Sequence, residues 1–157
     1  EPVRLFRNEG GQFRDITTPM RLAGRTGWWQ GIAAGDFDGD GRMDRVVPFL
    51  TDLAFPSSVL PFGKGALIAA APDLLYAEDT DGDGIADKKE ILYGPFDHTR
   101  DTHGNQASFR RGADGWIYAT HGFNNQSRVA GRDGHEIFLP SGNIYRFKID
   151  GSRIEIL

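Results

Sequence analysis

The chain has 157 residues, a formal net charge of -4 and no cysteine, which suits one globular domain with a real core and gives no basic footprint for nucleic acid. The missing thiols exclude disulfides, thiolate metal sites, cysteine nucleophiles and the Cys-x-x-Cys-His attachment of c-type haem. No apolar run approaches the roughly 18 residues a bilayer span needs, so the segment is read as soluble with no direct membrane insertion, any export signal lying upstream or already removed.

The 21 glycines and 8 prolines are scattered as turn punctuation, a pattern that favours many short strands over a helical bundle. At the start, Val3, Leu5 and Phe13 alternate with Arg4, Arg7 and Arg14 as in half-buried strands, and Gly10-Gly11 supplies the turn. Residues 27–37 read as a buried strand entering an acidic loop, and 45–50 as the strand leaving it. The arrangement recurs. Apolar runs at 66–71 and 74–77 precede a second acidic loop, and 90–93 follows it, a repeat close to the roughly 40–50-residue period of propeller blades.

Farther on, 108–110 and 116–120 flank the Gly112-Ala113-Asp114-Gly115 turn of a predicted hairpin. Residues 120–140 lose the alternation and read as one long polar loop. In the last hairpin Tyr145, Phe147 and Ile149 lead into Asp150-Gly151, a tight turn of the primed type, and Ile154 and Ile156 return. Trp28, Trp29 and Trp116 could form a stacking platform but read more simply as core.

The acidic loops carry the most specific chemistry. In the first, at 36–44, Asp36, Asp38 and Asp40 alternate, Gly41 follows and Asp44 stands ninth; in the second, at 79–87, Asp79, Asp81, Asp83, Gly84 and Asp87 repeat the spacing. A hard cation takes six to eight oxygens at about 2.3–2.6 Å, and places one, three and five of a tight loop can converge on it when glycine permits the reversal. The seventh place, Arg42 or Ile85, would add its backbone carbonyl. Both loops are therefore predicted to bind Ca²⁺ and, through it, to stabilise the fold. Binding tuned to weak affinity places the chain outside the cytosol, in the periplasm, at the cell surface or secreted.

Asp-Gly turns also occur without a metal, and Glu90 stands at the twelfth place of the second loop, where an EF-hand has its bidentate ligand. Pro72 and the Ala/Leu/Ile run before the loop make a poor entering helix, and Gly94-Pro95 stops anything after it, so Glu90 is kept only as an extra ligand.

Two stretches resemble known families. The run from Leu5 through Phe13 to Thr17, with Gly31-Ile32-Ala33-Ala34-Gly35-Asp36-Phe37-Asp38-Gly39-Asp40-Gly41, resembles an FG-GAP/VCBS repeat over about 3–47. That resemblance implies an integrin-like β-propeller blade with calcium in the Asp loop, in a surface or secreted module that binds a protein or glycan without catalysis. From about 44 to 157, Ala71-Pro72-Asp73-Leu74-Leu75, the second acidic loop, Asp101-Thr102-His103-Gly104, the segment 109–118 and Gly142-Asn143-Ile144-Tyr145-Arg146-Phe147 are similar to bacterial putative membrane-bound dehydrogenases of the sorbosone and quinoprotein glucose dehydrogenase type.

This second resemblance implies a sugar or alcohol substrate and pyrroloquinoline quinone in a full-length protein, with His103 as the base that takes the hydroxyl proton. Asp101 could orient that imidazole and Arg128 steady developing negative charge; loop histidines also simply cap turns or bind water. The expected fold is all-β, a partial β-propeller of antiparallel blade-like sheets, divided as an FG-GAP/VCBS-like repeat at 1–47 and a dehydrogenase-like propeller segment at 48–157. A closed six-bladed ring needs more chain than this, so the sequence reads as a piece of a longer protein whose isolated activity is weak or absent.

Overall fold

The computed structural model describes residues 4, 6–18 and 48–157. Asp36, Asp38, Asp40, Arg42 and Asp44 of the first acidic loop lie outside these, as do Val3, Leu5, Trp28, Trp29 and the expected strand at 27–37. Two compact units, Glu1–Pro48 and Phe49–Leu157, make up the chain. Every regular element among the described residues is a strand, as the glycine and proline punctuation predicts.

In the first unit, β1 (Phe6–Glu9) pairs antiparallel with β2 (Gln12–Asp15). Gly10 and Gly11 make the turn at φ +64° and +94°, the left-handed pair that a two-residue hairpin requires. Phe13, expected on a half-buried face with Val3 and Leu5, is 72% exposed, and the other two lie outside the described residues.

The second unit opens with an antiparallel meander of β3 (Pro56–Phe62), β4 (Gly65–Ala70), β5 (Asp73–Glu78) and β6 (Lys88–Tyr93). Pro56 and Pro61 hide β3 from a reading based on propensity, and its place at the sheet edge is where proline is tolerated. The continuous apolar run of β4 fits a strand covered on both sides. Leu67 and Ala69 enter the main core, while Ala66, Ile68 and Ala70 join Leu75 and Ala77 in a second cluster against Phe49, Leu50, Leu53 and Ala86. Residues 48–50, expected to end a strand, are irregular.

A second four-stranded antiparallel sheet contains β7 (Ala107–Arg111), β8 (Ile117–His121), β11 (Asn143–Phe147) and β12 (Ile154–Ile156), in the order β12-β11-β8-β7. Between β8 and β11 the chain makes a separate hairpin, β9 (Ser127–Ala130) with β10 (Glu136–Leu139), where the sequence suggested one long loop. Its alternation is real but short. Ser127 and Val129 turn inward on β9, Ile137 and Leu139 on β10. Neither sheet nor hairpin closes into a ring among the described residues.

The main core draws on both sheets and on the β9-β10 hairpin. Phe147 is fully buried, with ring centroids of Tyr93, Phe109 and Tyr145 at 5.4, 5.7 and 6.0 Å. The Tyr93 hydroxyl lies 2.7 Å from the Lys148 carbonyl and 2.8 Å from that of Arg153, joining β6 to the turn before β12. That turn differs from expectation. The Gly151 N–H donates to the Lys148 carbonyl and Lys148 N–H to that of Arg153, so the reversal spans four residues, with Gly151 but not Asp150 at positive φ.

Trp116 is likewise not core. It lies half-buried on the opposite face, with the Arg146 guanidinium 4.3 Å and the Lys148 ammonium 4.1 Å from its ring centre.

Candidate metal centre

The second acidic loop connects β5 to β6, two neighbouring strands whose ladder fixes both of its ends. Asp87 N–H donates to the Glu78 carbonyl at 3.0 Å and Ala86 N–H to that of Phe49 at 2.8 Å. Inside the loop Asp79 is the organising side chain. Its Oδ1 accepts from Gly82 N–H at 2.6 Å and its Oδ2 from Gly84 N–H at 2.9 Å, while the two glycines take φ +83° and +90°. These donors, Gly84 first, hold the Asp79 carboxyl below its ordinary range.

Asp79, Asp81 and Asp87 each bring a carboxylate oxygen within 4.8 Å of the others. Three carboxylates at such spacing repel by about 1 kcal/mol per pair even in water. Asp81 also accepts from Asp83 N–H, and Asp87 from the Thr80 hydroxyl at 2.6 Å. A carboxylate oxygen has two lone pairs, so one N–H or O–H bond leaves it able to ligate a cation. An all-oxygen, acidic, largely exposed donor set fits a hard divalent ion.

Two other proposed carboxylate ligands do not join this group. Asp83 lies outside the converging group and its Oδ1 accepts from Ile85 N–H at 2.8 Å, which fixes the Ile85 backbone within the loop. Glu90 is on β6 opposite Tyr76, and its carboxylate pairs with Arg132. The flanking elements are strands, so the helix-loop-helix alternative is removed.

Of the residues singled out for catalysis, the structure pairs His103 with Asp101 and engages Arg128 with Glu136. His103 Nδ1 lies 3.3 Å from Asp101 Oδ1, but its side chain is 96% exposed. Asp101 is fixed through its backbone: its N–H donates to Asn125 Oδ1 at 3.1 Å, and Asn125 Nδ2 donates to its carbonyl at 2.6 Å. Arg128 points along the outer side of the β9-β10 hairpin, 3.3 Å from Glu136 and 4.6 Å from the centre of the Phe138 ring.

A different polar group is buried nearby. His121 Nε2 lies 2.8 Å from Ser127 Oγ, which accepts the Asp97 N–H at 2.9 Å. The Asp97 carboxylate accepts from Gln126 N–H, Thr99 N–H and the Thr99 hydroxyl, and these bonds hold its pKa down at about 2. Burial pushes the His121 imidazole below its usual range and so toward the neutral form. Sequence reading placed His121 in a polar loop; its position one residue beyond Thr120, at the end of an alternating strand, was the available signal.

An all-β protein built of short antiparallel sheets, with an acidic cation-type loop on one blade-like meander, is the class these features define. Comparison with known families matches residues 33–157 to the domain of unknown function DUF7133 and residues 1–47 to an FG-GAP-like repeat. The chain belongs to the DUF7133 family. No curated protein and no solved structure matches it.

Proposed function

We propose that this chain is a calcium-stabilised, propeller-type binding module that works outside the cytosol. The convergence of Asp79, Asp81 and Asp87 carries the reading, and the FG-GAP-like repeat at 1–47 supports it, because it suggests a β-propeller or integrin-like module. In this reading the first loop, through Asp36, Asp38, Asp40 and Asp44, holds a second ion, and exposed loops contact a surface protein or glycan.

Binding rather than catalysis is favoured by the candidate base. His103 projects into solvent, and Arg128 is engaged with Glu136 and Phe138. A quinone-dependent dehydrogenase acting on sugars or alcohols rests on sequence resemblance alone.

Calcium binding is tested by thermal melting in chelator and in 10 mM calcium. For a site with Kd about 1 mM, linkage gives about 1.4 kcal/mol, a rise of about 5 °C in Tm. Asp81→Ala and Asp87→Ala should each abolish the part of the rise due to this loop. An unchanged Tm in the parent protein would overturn the reading.

A further inference from the structure

Gln106 and Tyr145 are fully buried and His121 is 1% exposed, yet Gln106 Nε2 and Oε1, the Tyr145 hydroxyl and His121 Nδ1 have no hydrogen-bond partner among the described residues. Such atoms are rarely left unsatisfied in a folded protein, because desolvation without a replacement bond is costly. Four such atoms, on three residues in or next to one sheet, ask for a common explanation.

Register supplies the juxtaposition. Thr120 pairs with Ala107 on one side and Ile144 on the other, and Ile144 is exposed, which marks that row as the outer face. Gln106 precedes Ala107 and His121 follows Thr120, so both stand one step along, on the inward side. Tyr145 is opposite Ala119, two rows inside His121 and so on the same face of the β8-β11 ladder, and its side chain enters the core beside Phe96. Strand alternation thus brings the three residues to one end of the buried face.

The same end of the fold is tightly closed. A Cβ at Gly122 would lie 2.7 Å from the Gly104 backbone, and Asn125, itself fully buried, donates to the Gly104 carbonyl at 3.2 Å. Ser127 engages Nε2 of His121; the Gly122 backbone lies near enough to favour the charged imidazole, but no group among the described residues meets Nδ1 in hydrogen-bonding geometry, so Nδ1 still has room for a donor or an acceptor. An amide, a phenol and an imidazole together ask for a small neutral molecule that both donates and accepts.

We propose that Gln106, His121 and Tyr145 form an internal hydration site, in which buried water bridges β7, β8 and β11. Water meets the requirement, since it both donates and accepts and makes two to four hydrogen bonds when buried. The site lies apart from the acidic loop and does not depend on calcium.

The test uses substitutions whose sign separates a wet site from a dry one. Tyr145→Phe removes only the hydroxyl, and Gln106→Met keeps the length while removing the amide. If water is bound, both lower Tm by several degrees; if the atoms are dry and unpaired, both raise it, because a desolvation penalty disappears. A crystal structure near 1.5 Å should show ordered water on at least two of the three side chains.

A raised or unchanged Tm for Tyr145→Phe overturns the proposal even if Gln106→Met fails to fold. So does density showing direct protein–protein bonds at these atoms, or a sugar or polyol in place of water.

Discussion

Replacing Asp97 by Asn should cost about 2 kcal/mol at neutral pH, and the loss should shrink in acid. The carboxylate accepts Gln126 N–H at 2.9 Å, Thr99 N–H at 3.0 Å and the Thr99 hydroxyl at 2.7 Å, fastening the segment after β6 to the one before β9. A carboxyl held at about 2 rather than 3.8 corresponds to about 2 kcal/mol, which solvent screening at this partly exposed group cuts to about 1. Asparagine also offers one acceptor oxygen where two are used, for about 1 kcal/mol more. The depressed pKa sets the sign: the charge-dependent stability is present above the ordinary value of 3.8 and is lost as pH falls through about 2. Urea unfolding of both proteins from pH 7 to pH 2 should show a gap of about 2 kcal/mol closing to about 1. A gap that stays constant with pH, or is missing at pH 7, would refute the role given to this carboxylate.

Three further outcomes follow from the packing. Phe147→Ala removes a fully buried ring surrounded by Tyr93, Phe109 and Tyr145 and should cost about 3–5 kcal/mol in denaturant unfolding; a loss below about 1 kcal/mol would contradict that packing. Gly104→Ala drives a Cβ against the Phe123 carbonyl, so it should lower Tm more than Gly115→Ala, where the added methyl meets open space and only the backbone conformation is strained. His103→Ala should leave stability within about 0.5 kcal/mol of the parent, since its side chain is almost fully exposed; a larger loss in the same assay would reveal a structural role for that imidazole.

Strands in the second unit were readable where alternation runs long. The pair that became β11 and β12 shows inward Tyr145, Phe147 and Ile154 directly in the sequence. β9 and β10 escaped because each has four residues, and because Ser127 is inward though polar, its hydroxyl satisfied by His121 and Asp97. Trp116 misled for the converse reason: a large aromatic can be covered by cationic side chains instead of by a core.

At the metal loop, spacing pointed alike to Asp79, Asp81, Asp83 and Asp87, of which three converge, and kept as an extra ligand Glu90, whose partner Arg132 is 42 positions away in the chain. Local spacing carries no information about such a partner. Nor could composition reveal that His121, Asn125 and Ser127 are buried while Asn124 and Gln126 beside them are exposed.

The β9-β10 hairpin has a consequence for the order of assembly. Residues 122–142 must be looped out before β8 can meet β11, and closure entropy rises by about 0.6 kcal/mol with each doubling of an unstructured loop. A hairpin that zips in about 1–10 μs shortens the effective loop first. Its tip then docks where Arg132 N–H donates to the Gly151 carbonyl and Asp133 N–H to that of Ser152, beside the turn that returns the chain into β12. If the hairpin forms early, loosening its own turn at 131–134 should slow refolding more than it speeds unfolding.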